Sequence, residues 1–214
     1  MRITVFCAPS DTLREPRFDI PAAVDFIRNQ MGLAGEPAYT GLKDGVRVEG
    51  ADHAGMTDYA WVCANGRLDL SLSIPVIDDA TGRRQLDVRT LLVPIATLAE
   101  AVRSSAYDTV LGLTKARGNR CFDWQIGVSM YSRFENNSCP SWEDLIFPGR
   151  PPARLVANRP PFCPATGYAT DDLQNWNPAS PTAELLATFL RSFLIENGYH
   201  DFDDAIADVV ATFA

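Results

Sequence analysis

The pair Asn65–Gly66 constrains the fold of this chain more than any other local feature. Asparagine and glycine tolerate the positive φ angles of a two-residue type I′ hairpin turn. After the pair, apolar side chains at Leu68, Leu70, Leu72 and Ile74 alternate with polar ones, and Tyr59, Trp61 and Cys63 before it belong to the partner strand. The pattern predicts an antiparallel hairpin with one apolar face and one face towards water.

Similar patterns predict further elements along the chain. A short apolar run after Met1 predicts a buried strand, and Asp19 followed by Pro21 predicts the start of a helix that Gly32 ends. Periodicity and proline positions give the rest: the strand 2–7, a strand over 85–93, a helix from Pro94 to Ser104, a strand over 122–130, and a capping box at 141–144 that begins a helical turn.

These elements predict one α+β domain over residues 1–214. In this class a largely antiparallel or mixed sheet packs against helices, two of them here at the C-terminus. A chain of 214 residues suffices for a full hydrophobic core. The segment 147–181 holds eight of the 15 prolines. Because proline fixes φ and lacks an N–H donor, we expect this Pro-rich segment to wrap the surface in extended and turn conformations.

The C-terminus has the pattern of two amphipathic helices. Pro181 is predicted to open the first helix and Asn197–Gly198 to close it. Asp201 is predicted to cap the second helix, whose polar face carries Asp203, Asp204 and Asp208. The string from His200 to Asp204 has the residue types of a metal cluster, but acids in a first helical turn are favoured by the helix dipole alone, so capping is the preferred interpretation and no metal is predicted.

The net charge of −8 is concentrated in the same region. Eight acids and one base, Arg191, lie between residues 160 and 214, and the remainder of the chain is almost neutral. Such a field opposes binding to nucleic acid and favours a cationic protein partner. The longest apolar stretches are far shorter than a bilayer span, so no membrane is expected. Five widely spaced cysteines without a C-x-x-C pair favour free thiols and a cytoplasmic location.

Catalytic candidates are few. Cys7 follows the first strand, where a thiol nucleophile of a hydrolase or transferase could lie, although a buried structural cysteine is the default interpretation. Only two histidines occur, and His53 stands beside Asp52 in a loop of small residues. The sequence has no phosphate-binding loop and no dinucleotide motif, so no cofactor is predicted.

Two classes of function remain open. The first is a non-catalytic cytoplasmic protein that binds another protein, such as an immunity or antitoxin-type inhibitor of a cationic partner. Its contact residues would be the C-terminal acids with three aromatic residues of the Pro-rich segment, Phe162, Tyr168 and Trp176. A different interpretation, which the sequence favours slightly, is that these aromatic residues fasten the segment to the core. The alternative is a small hydrolase or transferase that uses Cys7 or His53. The absence of a catalytic signature favours the first class.

Overall fold

The computed structural model describes residues 1–9, 18–35, 37–38, 45–53, 56–112, 124–131, 142–154, 168–169 and 174–213. The helices are α1 (Ile20–Gln30), α2 (Val88–Arg103), α3 (Ser105–Val110), α4 (Thr182–Glu196) and α5 (Asp203–Val210), and a 3₁₀ turn (Ala211–Phe213) follows α5. The strands are β1 (Arg2–Pro9), β2 (Pro37–Ala38), β3 (Gly45–His53), β4 (Met56–Cys63), β5 (Leu68–Ser73), β6 (Ile77–Asp78), β7 (Arg84–Asp87), β8 (Trp124–Tyr131), β9 (Asp144–Ile146), β10 (Ala153–Arg154), β11 (Tyr168–Ala169) and β12 (Gln174–Trp176).

The described strands form two sheets. In the larger sheet the order is β11-β8-β1-β5-β4-β3-β2, with β12 also paired to β8, and all neighbours run antiparallel. The smaller sheet has the order β10-β9-β7-β6 and is mixed, because β7 and β9 run parallel. Mixed and antiparallel sheets packed with helices, two of them C-terminal, confirm the predicted α+β class.

The predicted hairpin around Asn65–Gly66 is confirmed, but its turn is of a different type. The predicted water-facing side of β5 is also wrong, because Asp69 and Ser71 on that side are buried. Strands β4 and β5 pair with Val62 opposite Leu68. A type I′ turn requires a positive φ at both central residues. Gly66 has φ +90°, but the φ of Asn65 is not positive, so the prediction of a two-residue type I′ turn is wrong. The backbone N–H of Cys63 donates to the carbonyl of Arg67 at 2.8 Å, which leaves a three-residue loop closed by a glycine in the left-handed region.

Helix α2 begins earlier than predicted. Residues 88–93 were expected to continue a strand and are helical instead. Asp87 caps the helix, because its carboxylate accepts from the N–H of Arg89 at 2.9 Å. Pro94 therefore lies inside the helix and not at its start, and its buried ring packs in the core. Burial of the apolar face of α2 outweighs the lost backbone hydrogen bond at Pro94.

The prediction of a helical turn at 141–144 is also wrong for residues 142–144, which are the part of it that the structure describes. Asp144 begins β9, which pairs with β7 and β10. The Asp144 carboxylate is buried and accepts from the Nε of Arg83 at 3.0 Å and from its Nη2 at 2.8 Å. This two-point ion pair between the buried Asp144 carboxylate and the partly exposed Arg83 favours the extended backbone there.

The hydrophobic core lies on one face of the large sheet. Ile3, Val5 and Cys7 of β1 are fully buried on this face, against which α1 and α2 pack. Helix α4 packs on α2, and α5 packs on α4, so the C-terminal helices form an outer layer of the same core. In the described part of the chain, every helix is too short or too polar to cross a lipid bilayer.

Candidate functional site

The outer surface of α4 and α5 is the candidate site, and its scaffold is rigidly packed. The inner faces of both helices carry buried apolar residues, among them Leu186 and Phe193 on α4 and Ile206 and Val209 on α5. Phe193 also packs against Trp142, with the ring centroids 5.9 Å apart. The predicted end of the first helix is confirmed, because Gly198 follows it with φ +80°. The outer acids are therefore presented from a fixed surface.

Asp201 does not cap the second helix as predicted. The residue before α5 is Phe202, and the helix has no side-chain cap. Asp201 is exposed and adopts a left-handed backbone with φ +64°, which places it in the turn between the helices. Aspartate tolerates this conformation better than most residues. The acids in the first turn of α5, Asp203 and Asp204, are favoured by the unpaired N–H groups there.

Two of the three predicted binding carboxylates form ion pairs with arginines of the same chain. Asp203, with 81% of its side chain exposed, accepts from Arg191 at 3.0 Å. Asp208, 62% exposed, accepts from Arg150 at 2.7 Å. Exposed ion pairs of this kind contribute little free energy, so a partner's cations can replace the arginines at small cost.

The remaining members of this surface are Asp204 and Ile195. Asp204 is exposed and makes no ion pair with any described residue. It lies one helical turn before Asp208, so both carboxylates occupy the same side of α5. Ile195 is 54% exposed on α4, one turn after Arg191. We call Asp201, Asp203, Asp204 and Asp208 the acidic face; Ile195 adjoins it as an apolar anchor.

Of the three predicted aromatic contact residues, the structure describes the side chain of Trp176 alone. Trp176 is buried, its ring centroid 6.5 Å from that of Trp124, and the guanidinium carbon of Arg103 lies 5.6 Å from its ring. It fastens the segment before α4 to the core, which is the interpretation that the sequence favours slightly, and it is not an exposed contact residue. Phe162 lies outside the described residues. The backbone of Tyr168 begins β11, but its side chain lies outside the described part.

Cys7 has the environment of a structural cysteine. Its side chain is fully buried on the helix-covered face of β1, between Leu68 and Ile126 of the neighbouring strands. Burial, with a smaller contribution from the Asp69 carboxylate, raises the pKa of the Cys7 thiol far above its usual range. The thiolate that nucleophilic catalysis requires is therefore suppressed at neutral pH. This environment favours the structural interpretation of Cys7.

The second catalytic candidate lies at the end of a strand. Asp52 is exposed in β3, opposite Thr57 of β4 and next to a register shift that separates it from Glu49. His53 ends the same strand, but its side chain lies outside the described part of the chain.

The structure describes no group of three or more His, Cys, Asp or Glu side chains that could hold a metal ion, within the ranges given above. No protein-family model, no curated protein and no solved structure matches the chain. Its function must therefore be argued from its own surface.

Sequence reasoning missed the arginines and the apolar anchor at the acidic face. Helical spacing could have predicted that Arg191 and Ile195 lie together, because they are four residues apart on the outer side of α4. Arg150 carries no such signal. It lies 58 residues before Asp208, and only the tertiary fold brings the two side chains together.

Proposed function

We propose that this protein is a non-catalytic binding protein that holds a cationic protein partner on its acidic face. One observation carries the proposal: the carboxylates of Asp203, Asp204 and Asp208 are exposed on α5, whose inner face is anchored in the core. Rigid presentation lowers the entropy that association would otherwise cost. Complementary charge accelerates the encounter and disfavours acidic competitors.

The composition of the surface specifies the partner's chemistry. Two carboxylates are held in exposed, exchangeable ion pairs, and Asp204 offers its charge directly. Ile195 supplies an apolar contact beside these charges. We infer a partner surface in which basic side chains surround an apolar residue, as an immunity or antitoxin-type inhibitor would meet on a cationic target.

A cytoplasmic location belongs to the same proposal. Cys7 is a buried cysteine without a disulfide bond, which supports a reducing compartment.

The test is affinity capture from the native host with matched charge reversals. The test variant carries Asp204→Lys and Asp208→Lys. The control carries Asp25→Lys and Asp78→Lys, two exposed acids on α1 and β6 whose reversal changes the net charge equally. We expect the wild type and the control to capture the same basic protein and the test variant to lose it. Equal capture by both variants, or an acidic captured protein, would contradict the proposal.

A further inference from the structure

The chain contains two Asn–Gly pairs, and the structure places them in opposite environments. The first pair, Asn65–Gly66, lies in the loop that joins β4 and β5, and the Asn65 side chain is exposed. The second pair, Asn197–Gly198, follows α4, and Asn197 is only 8% exposed. Because both asparagines are followed by glycine, a difference in their reactivity must come from the fold.

An Asn–Gly pair can react with itself in water. The backbone nitrogen of the glycine loses its proton and attacks the side-chain Cγ atom of the asparagine. The new C–N bond closes a succinimide ring, and the side-chain amide nitrogen leaves as ammonia. Water then opens the ring to aspartate or isoaspartate, without any oxidation or reduction. Glycine favours the reaction because it has no side chain to obstruct the attack and its backbone is the most permissive.

The loop of the first pair holds the reacting groups close to each other. The Oδ1 atom of Asn65 accepts from the N–H of Arg67 at 3.0 Å, an Asx-turn that folds the side chain back along the peptide of Gly66. That peptide contains the attacking nitrogen. Its N–H donates to the carbonyl of Cys63 at 3.0 Å, and this loop hydrogen bond must open before the nitrogen attacks. Loops open locally at a small cost in free energy, so the folded protein permits the reaction.

The second pair is held by the end of α4. The Nδ2 atom of Asn197 donates to the carbonyl of Phe193 at 2.8 Å in a buried hydrogen bond. The N–H of Gly198 donates to the carbonyl of Ile195 at 3.0 Å. Closure of a succinimide ring would turn the buried side chain away from Phe193 and open the end of the helix at the same time. Such a combined opening costs more free energy than the opening of one loop hydrogen bond.

We propose that Asn65 is a site of spontaneous modification. In the folded protein it closes to a succinimide with the nitrogen of Gly66 and becomes aspartate or isoaspartate, whereas Asn197 stays intact until the protein unfolds. Water is the only other reactant, and ammonia is released. This site is separate from the acidic face, so its test does not depend on the proposed protein partner.

The modification changes the hairpin loop in two ways. Either product replaces the neutral amide of Asn65 by a carboxylate. Isoaspartate also carries the main chain through its side-chain carbon, which lengthens the loop by one atom. The loop is attached to α3, because the carbonyl of Gly66 accepts from the buried hydroxyl of Tyr107. Isoaspartate therefore weakens the attachment of the hairpin to α3, and aspartate leaves it in place.

The experiment incubates the full-length folded protein in mildly alkaline buffer, which favours loss of the glycine proton, and follows both asparagines by mass spectrometry of tryptic peptides. Cleavage after arginine gives one peptide over 48–67 and another over 192–214. Each peptide contains a single asparagine and no glutamine, so a mass increase in either one reports one residue. A sample digested before incubation measures any modification that the digestion itself causes.

In the folded protein we expect Asn65 to react at least about 10-fold faster than Asn197. In a parallel sample unfolded in guanidinium chloride, the two asparagines should react at comparable rates, because the fold no longer distinguishes them. Asn65→Ser is the control for the assignment, since it removes the reactive amide and should show no mass increase in the peptide over 48–67.

The structural consequence is measured on the isoaspartate form, purified from the incubated protein. Asn65→Asp is its matched control, because the two proteins carry the same charge and differ only in the path of the main chain. We expect the isoaspartate form to unfold at a lower urea concentration than Asn65→Asp. Equal midpoints would show that the attachment of the loop to α3 is unaffected, against the inferred consequence.

Two results would overturn the proposal itself. One is an unmodified Asn65 in the folded protein after a time in which the unfolded sample reacts completely. The other is equal reaction of Asn65 and Asn197 in the folded protein, which would show that burial and hydrogen bonding at the end of α4 give no protection.

Discussion

Asp69 shows how strongly one position can be shaped by its neighbours. Burial raises the pKa of its carboxyl above the usual value, although the hydrogen bonds from Arg67 oppose the shift. The pKa of Arg67 is also raised, chiefly by its hydrogen bond to Asp69. The two pKa shifts have different main causes. The hydrogen bond to Asp69 dominates the shift of the half-exposed Arg67, and desolvation dominates the shift of the buried Asp69. The pair orients Arg67 at a cost in stability.

The raised pKa of Asp69 predicts a pH dependence of stability. A carboxyl whose pKa is higher in the folded state is stabilising when protonated, and that contribution is lost as the pH rises through about 4 and past its folded pKa. We therefore expect the free energy of unfolding of the wild type, relative to Asp69→Asn, to fall between about pH 3 and about pH 7. Urea titrations of both proteins across this range measure it. A difference that grows with pH would show that attraction to Arg67 outweighs burial.

At the scale of the element, the end of α4 gives the sharpest prediction. The N–H of Gly198 donates to the carbonyl of Ile195 at 3.0 Å, and that of Tyr199 donates to Leu194 at 2.9 Å, which is a Schellman motif. Nothing lies within 4 Å of a Cβ built at Gly198, so a side chain there would strain only the backbone, at φ +80°. We expect Gly198→Ala to cost about 1 kcal/mol and Gly198→Asn to cost less. If urea unfolding gave the same loss of stability for both variants, the positive φ at residue 198 would not be the source of the strain.

The elements that sequence reasoning placed well are those with strong local signals. Asp19 caps α1 by accepting from the N–H of Ala22 at 3.0 Å, and glycines end α1 and α4. The wrong predictions concern residues whose conformation or burial depends on contacts with residues far away in the sequence. Residues 88–93 have the apolar composition of a strand, and only the packing of α2 on the large sheet makes them helical. The exposure of Trp176 likewise depends on Trp124, which lies 52 positions earlier.

At the scale of the whole molecule, Arg103 joins the C-terminal layer to the rest. It extends from the end of α2 and donates through Nε to the carbonyl of Pro178 at 2.6 Å. Its other nitrogens donate to the Ser180 carbonyl and the Thr182 hydroxyl, at the start of α4. These contacts predict that the acidic face unfolds together with the core and not as a separate unit.

Replacement of Arg103 tests this coupling. Lysine keeps the charge but cannot form the same fork of hydrogen bonds, so we expect Arg103→Lys to cost about 2 kcal/mol. Helical circular dichroism and tryptophan fluorescence should report one shared transition at a lower urea concentration. Arg89→Lys, at an exposed arginine of the same helix, should leave the midpoint unchanged. Separate transitions for the two signals would show that the C-terminal helices fold independently.

The negative charge of the sequence is concentrated towards its C-terminus. Eight acids against one base lie in the last 55 residues, counted from Pro160 to Ala214. The sequence alone predicts this polarity and the helices that carry it. It does not predict that Arg150 and Arg191 occupy two of the exposed carboxylates, because both pairs depend on how the helices pack.

The most direct test of the proposed function is the rate of association with the captured basic partner as the salt concentration is varied. We expect the wild-type rate constant to fall as salt rises, since screening weakens steering over about 10 Å. At low salt, Asp204→Lys with Asp208→Lys should associate at least about 10-fold more slowly than the wild type, and the two rates should converge at high salt. The control with Asp25→Lys and Asp78→Lys should stay near the wild type. Equal rates for all three proteins at every salt concentration would contradict recognition through the acidic face.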